Sequence, residues 1–84
     1  MLKLYSIKDT KGGFYPPEAA ENDALAVRTI RGVVNSGKGL LAQYPEDFEL
    51  WYVGEFDNQT GIIAPGEMRC IIRLNALVDH VQDA

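Results

Sequence analysis

Apolar and polar residues alternate from Leu2 to Lys8, which predicts a strand with Leu2 and Leu4 on one side and Lys3, Tyr5 and Ile7 on the other. Gly12, Gly13, Pro16 and Pro17 then give Asp9–Pro17 the chemistry of a loop. Asn22 is suited to cap a helix, because its side-chain oxygen can accept a free backbone N–H, and Asp23 suits the positive end of the helix dipole. Ala26, Val27, Ile30, Val33 and Val34 recur at spacings of three and four and form one apolar stripe, with Arg28 and Arg31 on the opposite side. Asn35-Ser36-Gly37-Lys38-Gly39 ends that helix, with Gly37 free to take the left-handed conformation. After a connection from Leu40 to Asp47, Phe48–Phe56 alternates most clearly of all: Phe48, Leu50, Tyr52 and Phe56 against Glu49, Trp51, Val53 and Glu55. Asp57–Gly61 reads as a turn and Ala64-Pro65-Gly66 as a second break, followed by a third strand from Met68 to Leu74. The tail from Asn75 to Val81 suits one or two helical turns. The expected class is α+β, a β-α-β-β three-stranded sheet with one helix packed on one face and a short C-terminal helix. A helix between two strands implies a right-handed crossover if those strands are parallel neighbours. The last two strands are expected to form an antiparallel hairpin.

One helix covers one face of such a sheet. The covered face is expected to hold Leu2, Leu4, Leu50, Tyr52, Phe56, Met68, Cys70, Ile72 and Leu74. The other would present Lys3, Tyr5, Ile7, Trp51, Val53, Arg69, Ile71 and Arg73, a set too apolar for an ordinary solvated surface. A contiguous apolar patch usually marks an interaction site. Two occupants fit it: a second protein surface (a subunit interface, or the terminal helix), or single-stranded nucleic acid, with aromatic rings stacking on bases and cations following phosphates.

Composition narrows the classes. Eighty-four residues, numbered 1–84, fit a single domain, with 46% hydrophobic and 24% charged residues. A chain of this size buries roughly 60–65% of its unfolded surface, so help from oligomerisation is expected. Cys70 is the one cysteine and His80 the one histidine, which excludes an internal disulfide and a four-ligand zinc site. No cofactor is implied. No apolar run approaches the ~20 residues needed to cross a bilayer, the N-terminus lacks an apolar signal region, and a free thiol suits a reducing interior. The net charge of −4 argues against strong duplex binding, which scales with the phosphates neutralised by Lys and Arg.

The remaining chemistry-bearing residues have plainer explanations. Ser36-Gly37-Lys38-Gly39 lacks phosphate-loop spacing and follows a helix, at the negative end of its dipole. His80 has no positioned nucleophile. Glu46, Asp47, Glu49, Glu55 and Asp57 match no calcium-loop spacing and read as a solvated rim. Cys70 alternates with core positions and is expected to be a buried thiol. Arg28, Arg31 and Lys38 form a modest basic patch. No nucleophile is paired with a base, so no enzyme is expected.

Tyr44-Pro45-Glu46-Asp47-Phe48-Glu49-Leu50, continuing through Val53-Gly54-Glu55-Phe56-Asp57 to Thr60-Gly61, resembles a segment of the small non-structural protein of gokushovirus-type microviruses, phages with single-stranded DNA genomes. Leu4-Tyr5-Ser6-Ile7-Lys8-Asp9 is similar to that family's opening. Pro16-Pro17 and Asn22-Asp23-Ala24-Leu25-Ala26-Val27-Arg28 are similar to its helix entry, although Asn22 replaces the usual Thr, and Gly12, Gly13 and Tyr15 depart from the pattern. The resemblance spans residues 4–61. It implies a non-structural phage protein of the host bacterial cytoplasm, which that family's label associates with DNA binding or DNA synthesis. Combined with the sheet faces, it leads to a homodimeric single-stranded-DNA-binding accessory factor in replication or packaging. Its expected contacts are Tyr5, Trp51, Arg69 and Arg73, with Lys3, Arg28 and Arg31 as further phosphate partners. The alternative is an adaptor that binds a phage or host replication or assembly protein through the same face.

Overall fold

The computed structural model describes residues 1–79. Four strands, β1 (Leu2–Asp9), β2 (Glu18–Ala20), β3 (Phe48–Phe56) and β4 (Ile63–Arg73), accompany the helices α1 (Asp23–Val34) and α2 (Leu40–Gln43). Short 3-10 turns at Pro45–Asp47 and Leu74–Leu77 flank the β3–β4 hairpin. Helix α1 starts where the cap residue predicts: the Asn22 side chain accepts from the Leu25 N–H at 2.9 Å. It stops before Asn35, and Gly37 adopts a φ of +76°, the left-handed conformation that suits glycine.

The fold is α+β, with a fourth strand beyond the three expected. Its order is β2-β1-β3-β4, and every neighbouring pair is antiparallel. β2 has three residues, two of them alanine, so period-two alternation gives it no signal; pairing with Lys3–Tyr5 makes it a strand. The expected crossover between the first and second predicted strands is also corrected. β1 and β3 are antiparallel, and α1 joins β2 to β3, which run parallel on either side of β1. This is a split β-α-β arrangement. The hairpin is present, but the predicted break at Ala64-Pro65-Gly66 lies inside β4. An edge strand tolerates a proline that cannot donate to the ladder.

Register breaks decide the faces. Directly opposed residues share a face in an antiparallel pair. Tyr5 opposes Tyr52 and Ile7 opposes Leu50, so Tyr5 and Ile7 lie on the α1 side. This reverses the expected orientation of β1, in which Leu2 and Leu4 faced the helix. The buried cluster under α1 comprises Tyr5, Ile7, Ala26, Val34, Phe48, Leu50, Tyr52 and Leu74. Alternation separates two faces of a strand but does not say which one meets the helix. β3 carries an extra residue between Tyr52 and Gly54 relative to β1, and β4 breaks register around Ile71. That second break lets Ile71 and Ile72 both pack against the core. It also places Cys70 opposite Trp51, on the face away from α1, where the thiol is exposed rather than buried as expected. Met68, also assigned to the core, is 49% exposed.

The strands come unusually close near these breaks. A Cβ on Gly54 would lie 2.5 Å from the Ala64 carbonyl oxygen, and one on Gly66 would lie 2.7 Å from the Tyr52 hydroxyl. At the other end, Leu74 and Leu77 are fully buried beneath α1. Asn35 ties that turn to the helix. Its amide donates to the Arg31 and Leu77 carbonyls, both at 2.9 Å, and its oxygen accepts from the Asp79 N–H. The expected tail helix is thus a 3-10 turn starting one residue early; His80 and Val81 lie outside the described residues.

Two glycine substitutions separate packing from chain entropy. Gly54→Ala should cost about 1–3 kcal/mol, because backbone must move to admit the methyl. Gly32 lies inside α1 with open space around it, so Gly32→Ala should gain about 0.5–1 kcal/mol. Thermal denaturation should show melting temperatures displaced in opposite directions; a stable Gly54→Ala variant contradicts the close approach.

Candidate nucleic-acid interface

Two polar clusters, one on each face, grow from the register just described. Each contains a carboxylate, an arginine from β4, aromatic rings and a lysine from β1. On the α1 side, the carboxylate is Asp23, in the first turn of the helix. The Tyr5 hydroxyl donates to Asp23 Oδ1 at 2.5 Å, and Arg69 pairs with Asp23 Oδ2 at 2.9 Å. Arg69 also lies 4.9 Å from the Tyr52 ring centroid, and the Tyr5 and Tyr52 rings meet edge to face. The Arg69 guanidinium, then the Tyr5 hydroxyl, hold the Asp23 carboxyl below its ordinary range. Burial, followed by the bond to Asp23, pushes the Tyr5 phenol well above its own. This cluster fastens the helix start to β1 and β4, and Tyr5 is only 4% exposed.

On the opposite face the carboxylate is Glu49. Trp51 Nε1 donates to Glu49 Oε1 at 3.0 Å, and Arg73 donates to Oε2 at 3.4 Å. The Trp51 hydrogen bond, then Arg73 despite opposing desolvation, lowers the Glu49 pKa. The antiparallel bridge between Lys8 and Phe14 folds the β1–β2 connection back, bringing Phe14 edge-on to Trp51 with ring centroids 5.8 Å apart. Lys8 Nζ lies 5.3 Å from the Trp51 centroid and 5.7 Å from that of Phe14. Phe14 is 47% exposed and Trp51 half-buried. Among the described residues no helix packs here, since α1, α2 and the C-terminal turn contribute to the core beneath the other face.

The four principal expected contacts therefore do not form one surface. Trp51 and Arg73 share the face away from α1. Tyr5 and Arg69 belong to the opposite face, where both are engaged by Asp23. Lys3 opposes Glu55, and its charge acts on Asp23. Arg28 and Arg31 are exposed on α1, with Arg31 3.8 Å from Asp79. Residue-by-residue reading missed Lys8 and Phe14. The signal for Lys8 was its alternation with Ser6, which opposes Trp51 across the β1–β3 pair; Phe14 sat in a loop with no periodicity.

The acidic rim is distributed among local tasks. Asp47 pairs with Lys11 at 3.6 Å, and its carbonyl accepts from Thr10. Asp57 accepts from the backbone N–H groups of Gln59 and Thr60, which lower its pKa and build the hairpin turn. Gly61 completes that turn with a φ of +79°. The Pro45-Glu46-Asp47 and Phe56-Asp57…Thr60-Gly61 motifs are thus turns at the two ends of β3. Among the described residues, no three His, Cys, Asp or Glu side chains converge as a metal site, and no helix is long and apolar enough to cross a membrane.

Together these features define a small split β-α-β protein that carries an aromatic and cationic cluster on the sheet face away from its helix. The family model described as Phage ORF5 protein matches residues 2–77, and the chain belongs to that family. It is 36% identical over 78 residues to Protein ORF5 of Chlamydia phage 1, covering 86% of this chain and 80% of that protein. These similarities bear out the resemblance and place the chain among small microvirus-type phage proteins. No solved structure matches it significantly.

The Asp23 cluster makes a pH prediction. Because the folded carboxyl titrates below its unfolded value of ~3.9, its contribution is complete above that pH and disappears as pH falls through the lower folded pKa. Asp23→Asn should destabilise the protein at pH 7 by about 1 kcal/mol or less, since the ion pair is partly solvated. It should also flatten the acid limb below about pH 4. Urea midpoints measured across pH check this; an unchanged acid limb contradicts it.

Proposed function

We propose that this phage accessory protein binds single-stranded DNA through the sheet face away from α1, without catalysing a reaction, in the host bacterial cytoplasm. The observation that carries the proposal is the Lys8 ammonium beside both the Trp51 and Phe14 rings, on a sheet face that no helix among the described residues covers. Rings supply stacking surface to unpaired bases of any sequence, and neighbouring cations meet the phosphates between them. The contact set is accordingly Lys8, Phe14, Trp51 and Arg73. Tyr5 and Arg69 have structural roles at Asp23. A net charge of −4 limits the electrostatic contribution and favours modest affinity. A second reading, contact with another protein copy or a phage protein, is favoured by Ile62 and Ile63, each 65% exposed at the hairpin end.

Oligo(dT) should quench Trp51 fluorescence, and duplex DNA should do so far less. Trp51→Ala should weaken oligonucleotide retention by about 1–3 kcal/mol. Two phosphate contacts predict a log–log salt slope of roughly −1.4, halved by Arg73→Ala and unchanged by Arg28→Ala. A folded sample that shows neither quenching nor retention at low salt removes the DNA proposal and leaves the protein-contact reading.

A further inference from the structure

Glu49 occupies an unusual place for a carboxylate on a surface meant to meet DNA. It stands between the Trp51 indole N–H and the Arg73 guanidinium. It also opposes Lys8 across the β1–β3 pair, and the Lys8 charge acts on it. Its side chain is 16% exposed, against 55% for Arg73. An indole N–H and a guanidinium on one anionic group, with an ammonium further off, form a donor set that also suits a phosphodiester oxygen, which Arg binds through the same fork it presents to a carboxylate. The rings of Trp51 and Phe14 lie immediately beside those donors.

We propose that Glu49 is an internal competitor for a single-nucleotide subsite: a base stacks against Trp51 and Phe14 while its phosphate displaces the Glu49 carboxylate from Arg73, and Lys8 meets the neighbouring phosphate. The proposal rests on the DNA reading of this face and adds a specificity-determining residue to it. The carboxylate has two separable effects. It anchors the indole through a hydrogen bond, which organises the stacking surface. It also neutralises Arg73 and repels incoming phosphate, so weak or sparsely charged ligands do not replace it. An extended single strand can bring base and phosphate to this point together. In a duplex the bases are stacked inside, leaving phosphate alone to compete.

The two effects separate by substitution. Glu49→Gln keeps an acceptor for the indole N–H and removes the competing charge. It should bind oligo(dT) roughly threefold to tenfold tighter at low salt. Its log–log salt slope should stay near the wild-type value, because the same phosphates are neutralised in both proteins. Glu49→Ala loses the anchor as well and should fall between wild type and Glu49→Gln. Arg73→Ala in the Glu49→Gln background should abolish the gain. The wild-type protein carries an independent readout: oligo(dT) should move the Trp51 Nε1–H nuclear magnetic resonance signal toward its position in Glu49→Ala. If wild type binds oligo(dT) but Glu49→Gln binds no tighter, or the indole signal stays fixed at saturation, Glu49 is not a competitor and the DNA proposal stands without it. If neither protein binds, both proposals fall.

Discussion

The close approach of β3 and β4 at Gly54 and Gly66 is the constraint on which the rest of the arrangement depends. No side chain larger than hydrogen fits between Gly54 and the Ala64 carbonyl, and the Tyr52 ring occupies the space a Cβ on Gly66 would need. The extra residue between Tyr52 and Gly54 and the break around Ile71 shift the faces of the strands that carry Trp51, Arg69 and Arg73. Arg69 turns toward α1 and stacks on Tyr52; Arg73 turns away and meets Glu49. Such register breaks re-aim side chains without ending a strand. Here they divide the cations of β4 between a structural cluster and an open one.

That division matters because, among the described residues, the sheet has helices on one face only. On the α1 side, Asp23 engages the polar groups of buried Tyr5 and of exposed Arg69. On the other face Glu49 accepts from both Trp51 and Arg73. The molecule is correspondingly long, 51 × 26 × 20 Å. Its hairpin end exposes Ile62 and Ile63, beyond the core cluster beneath α1. Two clusters built from similar residue types thus lie on opposite sides of one sheet.

Much of the fold was legible in local chemistry. Asn22 announced the helix start because short-range capping does not depend on the rest of the fold, and the alternation around Leu50 and Tyr52 identified the helix-facing side of β3. β2 was illegible because Glu18-Ala19-Ala20 has no pattern of its own and is created by pairing with β1. The orientation of β1 was lost for a different reason. Leu4 and Tyr5 are 7% and 4% exposed, so both faces of that strand are buried and apolarity does not choose between them. Register breaks misled the site reading in the same way. Arg69 and Arg73 are four residues apart and share a face in a regular strand, but the break around Ile71 separates them. Lys8 reaches Trp51 through the β1–β3 register, and Phe14 reaches it because the loop folds back on Lys8.

The central claim is that the face carrying Lys8, Phe14, Trp51 and Arg73 receives single-stranded DNA while the Asp23 cluster holds the fold together. A residue-resolved amide and side-chain nuclear magnetic resonance titration with oligo(dT) tests it most directly. The account predicts saturable shifts concentrated at Lys8, Phe14, Glu49, Trp51, Cys70 and Arg73, with Tyr5, Asp23 and Arg69 nearly still. Shifts centred on α1 or on the Asp23 cluster, or none at saturating oligonucleotide, would contradict it.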